Sequence, residues 1–138
     1  MSNIKKICII GLVCLVIFGI INFNSDSKLY GKWYLYKGKD INTDSNISEQ
    51  INSKDYIELS RGTHKEFRSD GKDGISAMKV RGSKIHAGDA VFKYHINKID
   101  EYEILVLEII GYDNGHTKGL VENGEKFIYV YGENIDFK

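Results

Sequence analysis

The chain has 138 residues, 14 of them glycine and none proline, and this length suits a single domain. Its 19 basic and 19 acidic residues cancel, and setting aside Lys5 and Lys6 leaves the rest of the chain slightly acidic. A surface that binds nucleic acid or an anionic membrane concentrates basic charge, so the composition argues against both kinds of partner for the domain.

The first 27 residues have the pattern of a targeting segment. Lys5 and Lys6 precede an apolar run, from Ile7 to Ile21, whose only polar side chains are two thiols. A positive end followed by such a run is typical of a signal peptide or a membrane anchor. Because the positive end should stay in the cytoplasm, we expect residues 28–138 to be exported to the periplasm or the extracellular face of the cytoplasmic membrane.

The sequence leaves three fates open for this segment. Ser25 and Ser27 supply small residues for cleavage after Ser27, whereas an uncleaved helix would anchor the domain to the membrane. Lipidation of Cys14 is disfavoured, because Val13 is bulky and the apolar run continues past the cysteine. Both cysteines, Cys8 and Cys14, lie in this segment, so the domain that follows has neither a disulfide nor a cysteine ligand.

After residue 28, short runs of alternating apolar and polar residues are separated by Gly, Asn and Asp, a pattern typical of strands and tight turns. The predicted strands are Leu29–Tyr36, Asp55–Ser60, His64–Arg68, Ile75–Val80, Ser83–Ala87, Val91–Asn97, Tyr102–Ile110, His116–Glu122, Glu125–Tyr131 and a final edge segment, Asn134–Phe137. The dipeptides Asp70-Gly71 and Asn123-Gly124 indicate hairpin turns.

Ser83–Ala87 and Asn134–Phe137 are the weaker candidates, so we expect eight or nine of these segments to be strands. Their spacing predicts an all-β sandwich or barrel. The stretch Lys37–Lys54 is polar and is expected to be mostly loop, with one helical turn over Ser48–Ser53. Sequential hairpins favour an antiparallel meander, and closure into a barrel removes the exposed edges. We therefore expect a small antiparallel β-barrel over residues 28–138, preceded by an N-terminal apolar helix.

The first predicted strand carries a family resemblance. Residues 29–34 read LYGKWY, and a Gly-x-Trp at this place resembles the lipocalin, or calycin, pattern, most of all that of small bacterial lipocalin-like domains. The hairpin at Phe67–Lys72 also fits. The resemblance implies a lipocalin-like barrel in which Trp33 plugs the closed end, while Gly31 lets a ring or backbone approach closely. The arginine that packs over this tryptophan in lipocalins is absent, and Lys126 is the nearest basic residue, which favours a looser relative.

Tyrosines are the candidate binding residues of the domain. Three of them share the strand face opposite Trp33, and two others join that face or the interior; the set is Tyr30, Tyr34, Tyr36, Tyr94 and Tyr129. A tyrosine combines apolar area with a hydroxyl group, as recognition surfaces often require. Tyrosines also suit the outer face of a barrel, so a purely structural role stays open.

The sequence lacks a recognisable catalytic or metal-binding motif. It contains no nucleophile elbow, zinc-protease motif or P-loop. His86 and His95 could meet across a hairpin, but only Asp89 lies nearby as a further ligand. The acidic cluster at residues 100–103 and Asp113 cannot be placed as a glycosidase pair from the sequence. We therefore predict no enzyme, no cofactor and no metal site.

Two functions from different classes remain. The first is an exported, non-catalytic binding domain that holds a small apolar ligand in its barrel. The alternative is an immunity or inhibitor-type interaction protein that binds a toxin or hydrolase outside the cytoplasm. A ligand-binding barrel should contain a cavity of some hundreds of Å³, whereas an interaction protein should have a filled core and an exposed tyrosine-rich or acidic patch.

Overall fold

The computed structural model of the chain describes residues 28–113 and 124–137, which form a closed antiparallel β-barrel. Its eight strands are β1 (Gly31–Tyr36), β2 (Ile51–Ser60), β3 (Thr63–Phe67), β4 (Gly74–Arg81), β5 (Lys84–Ala87), β6 (Ala90–Ile99), β7 (Tyr102–Tyr112) and β8 (Lys126–Tyr131). Each strand pairs with the next, and β8 pairs with β1. The predicted meander and its closure are confirmed, while the apolar helix predicted within residues 1–27 lies outside the described residues.

Every strand of the barrel overlaps a predicted one, and the differences lie mainly at the ends. β2 begins at Ile51, earlier than predicted, because its first residue still pairs with Tyr36 at the end of β1. A 3-10 turn, Ile47–Gln50, lies where one helical turn was expected. The predicted strand His116–Glu122 lies outside the described residues. Within residues 28–113 and 124–137, no helix has the length and apolar character that a membrane span requires.

The prediction of a final edge strand over Asn134–Phe137 is wrong. β1 and β8 already pair with each other, so the closed barrel offers no free edge to this segment. A 3-10 turn at Gly132–Asn134 follows β8 instead. Phe137 then packs on the outside of the barrel, with its ring centroid 4.6 Å from that of Tyr34.

The barrel interior holds the main core. Period-two alternation directs one apolar face of each of several strands inward, as expected for strands with a buried and a solvated side. The buried members are Leu29, Trp33, Ile57, Leu59, Met78, Ile85, Ala87, Leu105, Leu107 and Tyr129. Fully burying a large aliphatic side chain contributes about 1.5–3 kcal/mol, so this interior is the principal source of the barrel's stability.

A second core lies outside the barrel wall, beneath the β1–β2 loop. Tyr36, on the outer face of β1, is buried with Ile41 and Ile47 from the loop and with residues of β7 and β8. The Tyr36 hydroxyl is hydrogen-bonded to the carboxylate of Asp44 in the same loop. The backbone N–H of Lys37 donates to the carbonyl of Gln50 at 2.9 Å and fastens the loop at its two ends. The loop therefore covers this part of the wall.

Trp33 and its neighbours fill the end of the barrel where β1 begins. Trp33 is fully buried, and its Nε1–H donates to the carbonyl of Leu29 at 2.8 Å. Its ring centroid lies 4.8 Å from that of Tyr131 on β8. Gly31 has a φ of +134°, and a Cβ placed there would lie 2.6 Å from a ring carbon of Tyr131. Glycine at this position therefore allows the tyrosine ring to pack directly on the β1 backbone.

Candidate functional site

A cavity of about 350 Å³ opens toward the other end of the barrel. Its walls come from the end of β1, the middle of β2, the end of β3 with the hairpin that follows, and β8. The lining residues are Leu35, Lys37, Asp55, Tyr56, Ile57, Glu66, Phe67, Arg68, Ser69, Asp70, Phe127 and Tyr129. The side chains of Leu35, Ile57, Phe127 and Tyr129, which belong to the interior core, form the inner wall. All but one of the charged side chains gather at the rim.

Strand β3 explains why this space is not filled by the core. Its register places Glu66 opposite Ile57 and His64 opposite Leu59, so both polar side chains share the face that is inward on β2. All five residues of β3 are partly exposed, in contrast to the buried inward residues of β2. Because a carboxylate loses strongly favourable hydration when it is packed among apolar groups, the core does not close over Glu66.

The rim of the cavity is held by an ion pair between β1 and β2. Lys37 Nζ lies 2.5 Å from Asp55 Oδ2, and the other Asp55 oxygen accepts the backbone N–H of Ser69 at 2.9 Å. Asp55 is buried although it is charged. The hydrogen bond from Lys37, reinforced by that from Ser69, holds the pKa of Asp55 below its ordinary value. One carboxylate therefore joins the end of β1, the middle of β2 and the β3–β4 hairpin.

A second, more exposed ion pair lies on the hairpin itself. Arg68 Nη2 is 2.8 Å from Asp70 Oδ2, and both side chains are more than two-fifths exposed. The hairpin turns where Asp70-Gly71 predicts, and the Gly71 N–H donates to the Arg68 carbonyl at 3.0 Å. Two of the three acidic residues that line the cavity, Asp55 and Asp70, thus have basic partners on the rim.

The third acid, Glu66, and the hydroxyl of Tyr129 differ from the rim residues. Among residues 28–113 and 124–137, no cation or hydrogen-bond donor reaches the Glu66 carboxylate, and no hydrogen-bond partner reaches the Tyr129 hydroxyl. Tyr129 is only 9% exposed. Burial raises the pKa of Tyr129, and the negative charge of Glu66 adds to the rise, so the phenol stays protonated at physiological pH.

His64 supplies no counter-charge to Glu66 near neutral pH. Burial lowers the pKa of His64 below its ordinary value of 6.5, and the opposing influence of Glu66 is smaller. The imidazole is therefore mainly neutral at pH 7. The inner part of the cavity carries a single negative charge, that of Glu66, beside a neutral phenol.

The structure separates the tyrosines that the sequence singles out. Tyr129 lines the cavity, and Tyr94 packs against the interior core. Tyr34 and Tyr36 lie on the outer side of the wall and are buried there, under the C-terminal segment and the β1–β2 loop. Tyr30 is partly buried against the interior core. The five do not form one surface.

Sequence reasoning missed Glu66, Lys37 and Asp55. The run His64–Arg68 is polar on both faces, so alternation alone does not say which face turns inward. His64 and Glu66 are two positions apart and therefore lie on the same face of the strand. That face can be identified as the inward one only once β3 is aligned with β2.

The histidine pair considered as a metal site is not assembled. His86 lies opposite Val91 and places its Nδ1 3.1 Å from Asp113 Oδ2, whereas His95 lies opposite Val106. In the described part of the chain, no three His, Cys, Asp or Glu side chains are grouped as a metal site requires.

Chemically, the open end of the barrel is suited to hold a small molecule that has an apolar body and a polar group. Leu35, Ile57 and Phe127 offer apolar contact, while Glu66 and Tyr129 offer polar atoms that find no partner among residues 28–113 and 124–137. No protein-family model matches this sequence, and neither a curated protein nor a solved structure is significantly similar to it.

Proposed function

We propose that the domain binds a small, largely apolar molecule in the cavity at the open end of its barrel, in the manner of a lipocalin-like domain. The cavity of about 350 Å³ carries this proposal. A closed eight-stranded meander with a buried tryptophan on its first strand is compatible with that fold.

The composition of the cavity wall supports this proposal. Leu35, Ile57, Phe127 and Tyr129 present apolar surface to the cavity, and ligand sites of this size typically combine such surface with a few polar groups. Each CH₂ group that a ligand buries there contributes about 0.8 kcal/mol. An apolar body therefore supplies affinity, and the polar groups select among ligands.

We propose further that the domain acts outside the cytoplasm, by binding rather than by catalysis. The positively charged and then apolar pattern of residues 1–27 supports export, either with cleavage or with retention as an anchor. An interaction protein of the immunity or inhibitor type has less support. The tyrosines that would form its docking surface, Tyr34 and Tyr36, are buried by other parts of the chain.

The test uses the full chain and a neutral probe, 4-phenylbutan-1-ol, observed by ligand NMR. Leu35→Trp should fill the cavity and weaken binding of the probe by about ten-fold or more, because the larger side chain occupies the space in which the probe makes its apolar contacts. Ile110→Trp places the same ring on the exposed outer face of β7 and should leave binding unchanged. Circular dichroism checks that both variants fold, and Phe127→Trp replaces Leu35→Trp if that variant does not.

Absence of binding to the parent chain would overturn the proposal. Equal binding by the cavity variant and the outer-face variant would do so as well, because the probe would then sit elsewhere. Both variants keep residues 1–27, so any binding of the probe to that apolar segment is the same in both and does not affect the difference between their affinities.

A further inference from the structure

We infer that the ligand of this cavity carries a positively charged amine, which donates hydrogen bonds to the Glu66 carboxylate and the Tyr129 hydroxyl. The inference rests on the proposed function and names the chemical class of the ligand. It comes from the charges that the cavity leaves unbalanced and from the polar atoms that it leaves without partners.

The charge balance of the cavity singles out Glu66. Lys37 and Asp55 pair at 2.5 Å, and Arg68 and Asp70 pair at 2.8 Å, so the two bases of the lining are each engaged by an acid. Glu66 remains as the one acid of the lining that has no basic partner among the described residues. A half-buried carboxylate without a counter-ion is costly, and a cationic ligand would remove that cost.

The Tyr129 hydroxyl provides a second, independent observation. It lies on a side chain more than nine-tenths buried, it lines the same cavity, and it has no hydrogen-bond partner in the described part of the chain. Buried polar groups in folded proteins are almost always hydrogen-bonded, so such a group points to a missing partner. Glu66 lines the same cavity, so one ligand can contact both side chains.

An ammonium group fits these two groups together. It has three N–H donors and no acceptor, so it can donate to the carboxylate oxygens and to the phenol oxygen at once. Phe127 and Tyr129 line the same cavity, and aromatic rings attract a cation that lies over their faces. The apolar body of the ligand then packs against Leu35 and Ile57.

The same geometry disfavours the other two charge classes. An anionic ligand would meet the negative charge of Glu66 inside a partly dehydrated cavity, where repulsion is weakly screened. A neutral ligand would displace water from Glu66 without supplying a counter-charge. The cavity therefore selects cationic ligands, because only a cation compensates the negative charge of the Glu66 carboxylate.

The experiment compares three probes of one size in the full chain: 4-phenylbutan-1-amine, 4-phenylbutan-1-ol and 4-phenylbutanoate. Ligand NMR or titration calorimetry at pH 7 measures their affinities. The parent should prefer the amine over the alcohol by about ten-fold or more, as a charge-assisted hydrogen bond implies, and should bind the carboxylate weakest.

Glu66→Gln keeps the shape of the side chain and should reduce the preference for the amine to about two-fold or less. Glu58→Gln is the matched control. Glu58 lies on the outer face of β2, opposite Lys65 and Lys32, so this variant loses the same charge outside the barrel and should keep the parent preference. Tyr129→Phe should weaken the amine by about three-fold or more and leave the alcohol nearly unchanged.

The outcomes separate this inference from the proposed function. If the alcohol and the amine bind equally well and both are blocked by Leu35→Trp, the cavity binds ligands but does not select amines, and the inference fails alone. If no probe binds, or if Leu35→Trp weakens the binding of none of them, the proposed function itself is wrong, and the inference that rests on it falls with it. If Glu58→Gln abolishes the preference for the amine as fully as Glu66→Gln does, the preference depends on the net charge of the chain and not on Glu66. That result would overturn the inference.

Discussion

Lys37 Nζ lies 2.5 Å from Asp55 Oδ2 at the rim of the barrel, where β1 has just ended and β2 approaches the cavity. The same carboxylate accepts the backbone N–H of Ser69 from the β3–β4 hairpin. Three segments that are distant in sequence are thus joined through one side chain, and the shape of the cavity mouth depends on it.

Removing this carboxylate should destabilise the barrel. Asp55→Asn loses the charged hydrogen bond to Lys37, and we expect the free energy of unfolding at pH 7 to fall by about 1–2 kcal/mol. Asp70→Asn, which breaks the exposed pair with Arg68, should cost less than about 0.5 kcal/mol. Urea unfolding measures both variants, and equal losses would contradict the role assigned to Asp55.

The same pair predicts how stability responds to acid. The pKa of Asp55 is lowered in the folded chain, chiefly by the hydrogen bond from Lys37, so folding favours the ionised form. Its contribution is fully present above the ordinary pKa of 3.8 and is lost as the pH falls through the lowered folded value. The gap in unfolding free energy between parent and Asp55→Asn should therefore be constant from neutral pH down to about 4.5 and shrink below it. A gap that widened with acid would refute this assignment.

Gly31 should tolerate no side chain. Gly31→Ala combines a backbone strained at φ +134° with a Cβ placed 2.6 Å from the Tyr131 ring, and we expect a loss of about 3 kcal/mol. Gly62→Ala is the matched control, because Gly62 also has a positive φ, +84°, but has open space around its Cβ position. That variant should lose about 1 kcal/mol from strain alone. Thermal unfolding followed by circular dichroism compares them.

Tyr36 should act in the fold and not in ligand binding. Tyr36→Phe removes the hydrogen bond to Asp44 while keeping the ring in the outer core, so stability should fall by about 1 kcal/mol. Hydrogen exchange should accelerate across residues 38–50, the loop that this bond fastens. Affinity for the amine probe should stay within about two-fold of the parent, because Tyr36 does not line the cavity. A larger loss of affinity would indicate that Tyr36 takes part in ligand binding and would contradict this prediction.

Glu66 and Tyr129 should show the opposite pattern, in which binding is lost without a loss of stability. Neither polar group has a hydrogen-bond partner among the described residues, so Glu66→Gln and Tyr129→Phe remove no hydrogen bond or ion pair from that part of the chain. We expect unfolding free energies that stay within about 0.5 kcal/mol of the parent or rise. Chemical denaturation in the absence of ligand makes this measurement. A fall of the size expected for Asp55→Asn would indicate a structural role for these two groups.

Much of the fold was predictable from local patterns. In the segment that became β1, Trp33 and Leu35 alternate with polar or tyrosine residues, and in β2 Ile57 and Leu59 do the same, so the face directed inward could be assigned in advance. Asp70-Gly71 indicated the β3–β4 hairpin because glycine readily adopts the positive φ, +80° here, that the turn needs.

The candidate site was less predictable, because it depends on pairing between strands. Two tyrosines of β1, Tyr34 and Tyr36, look exposed in a strand pattern, yet the C-terminal segment and the β1–β2 loop cover them. The alternation of a strand specifies two faces but does not reveal what will pack on the outer one.

The amino-acid sequence alone determined that this chain forms antiparallel strands with one apolar side each, since backbone geometry directs successive side chains to opposite faces whatever the partner. The tertiary structure alone decided that Glu66 turns inward beside Tyr129. On a strand that is polar on both faces, only the register with Ile57 and Leu59 selects the inward side, and closure of the barrel brings β8 to the same cavity.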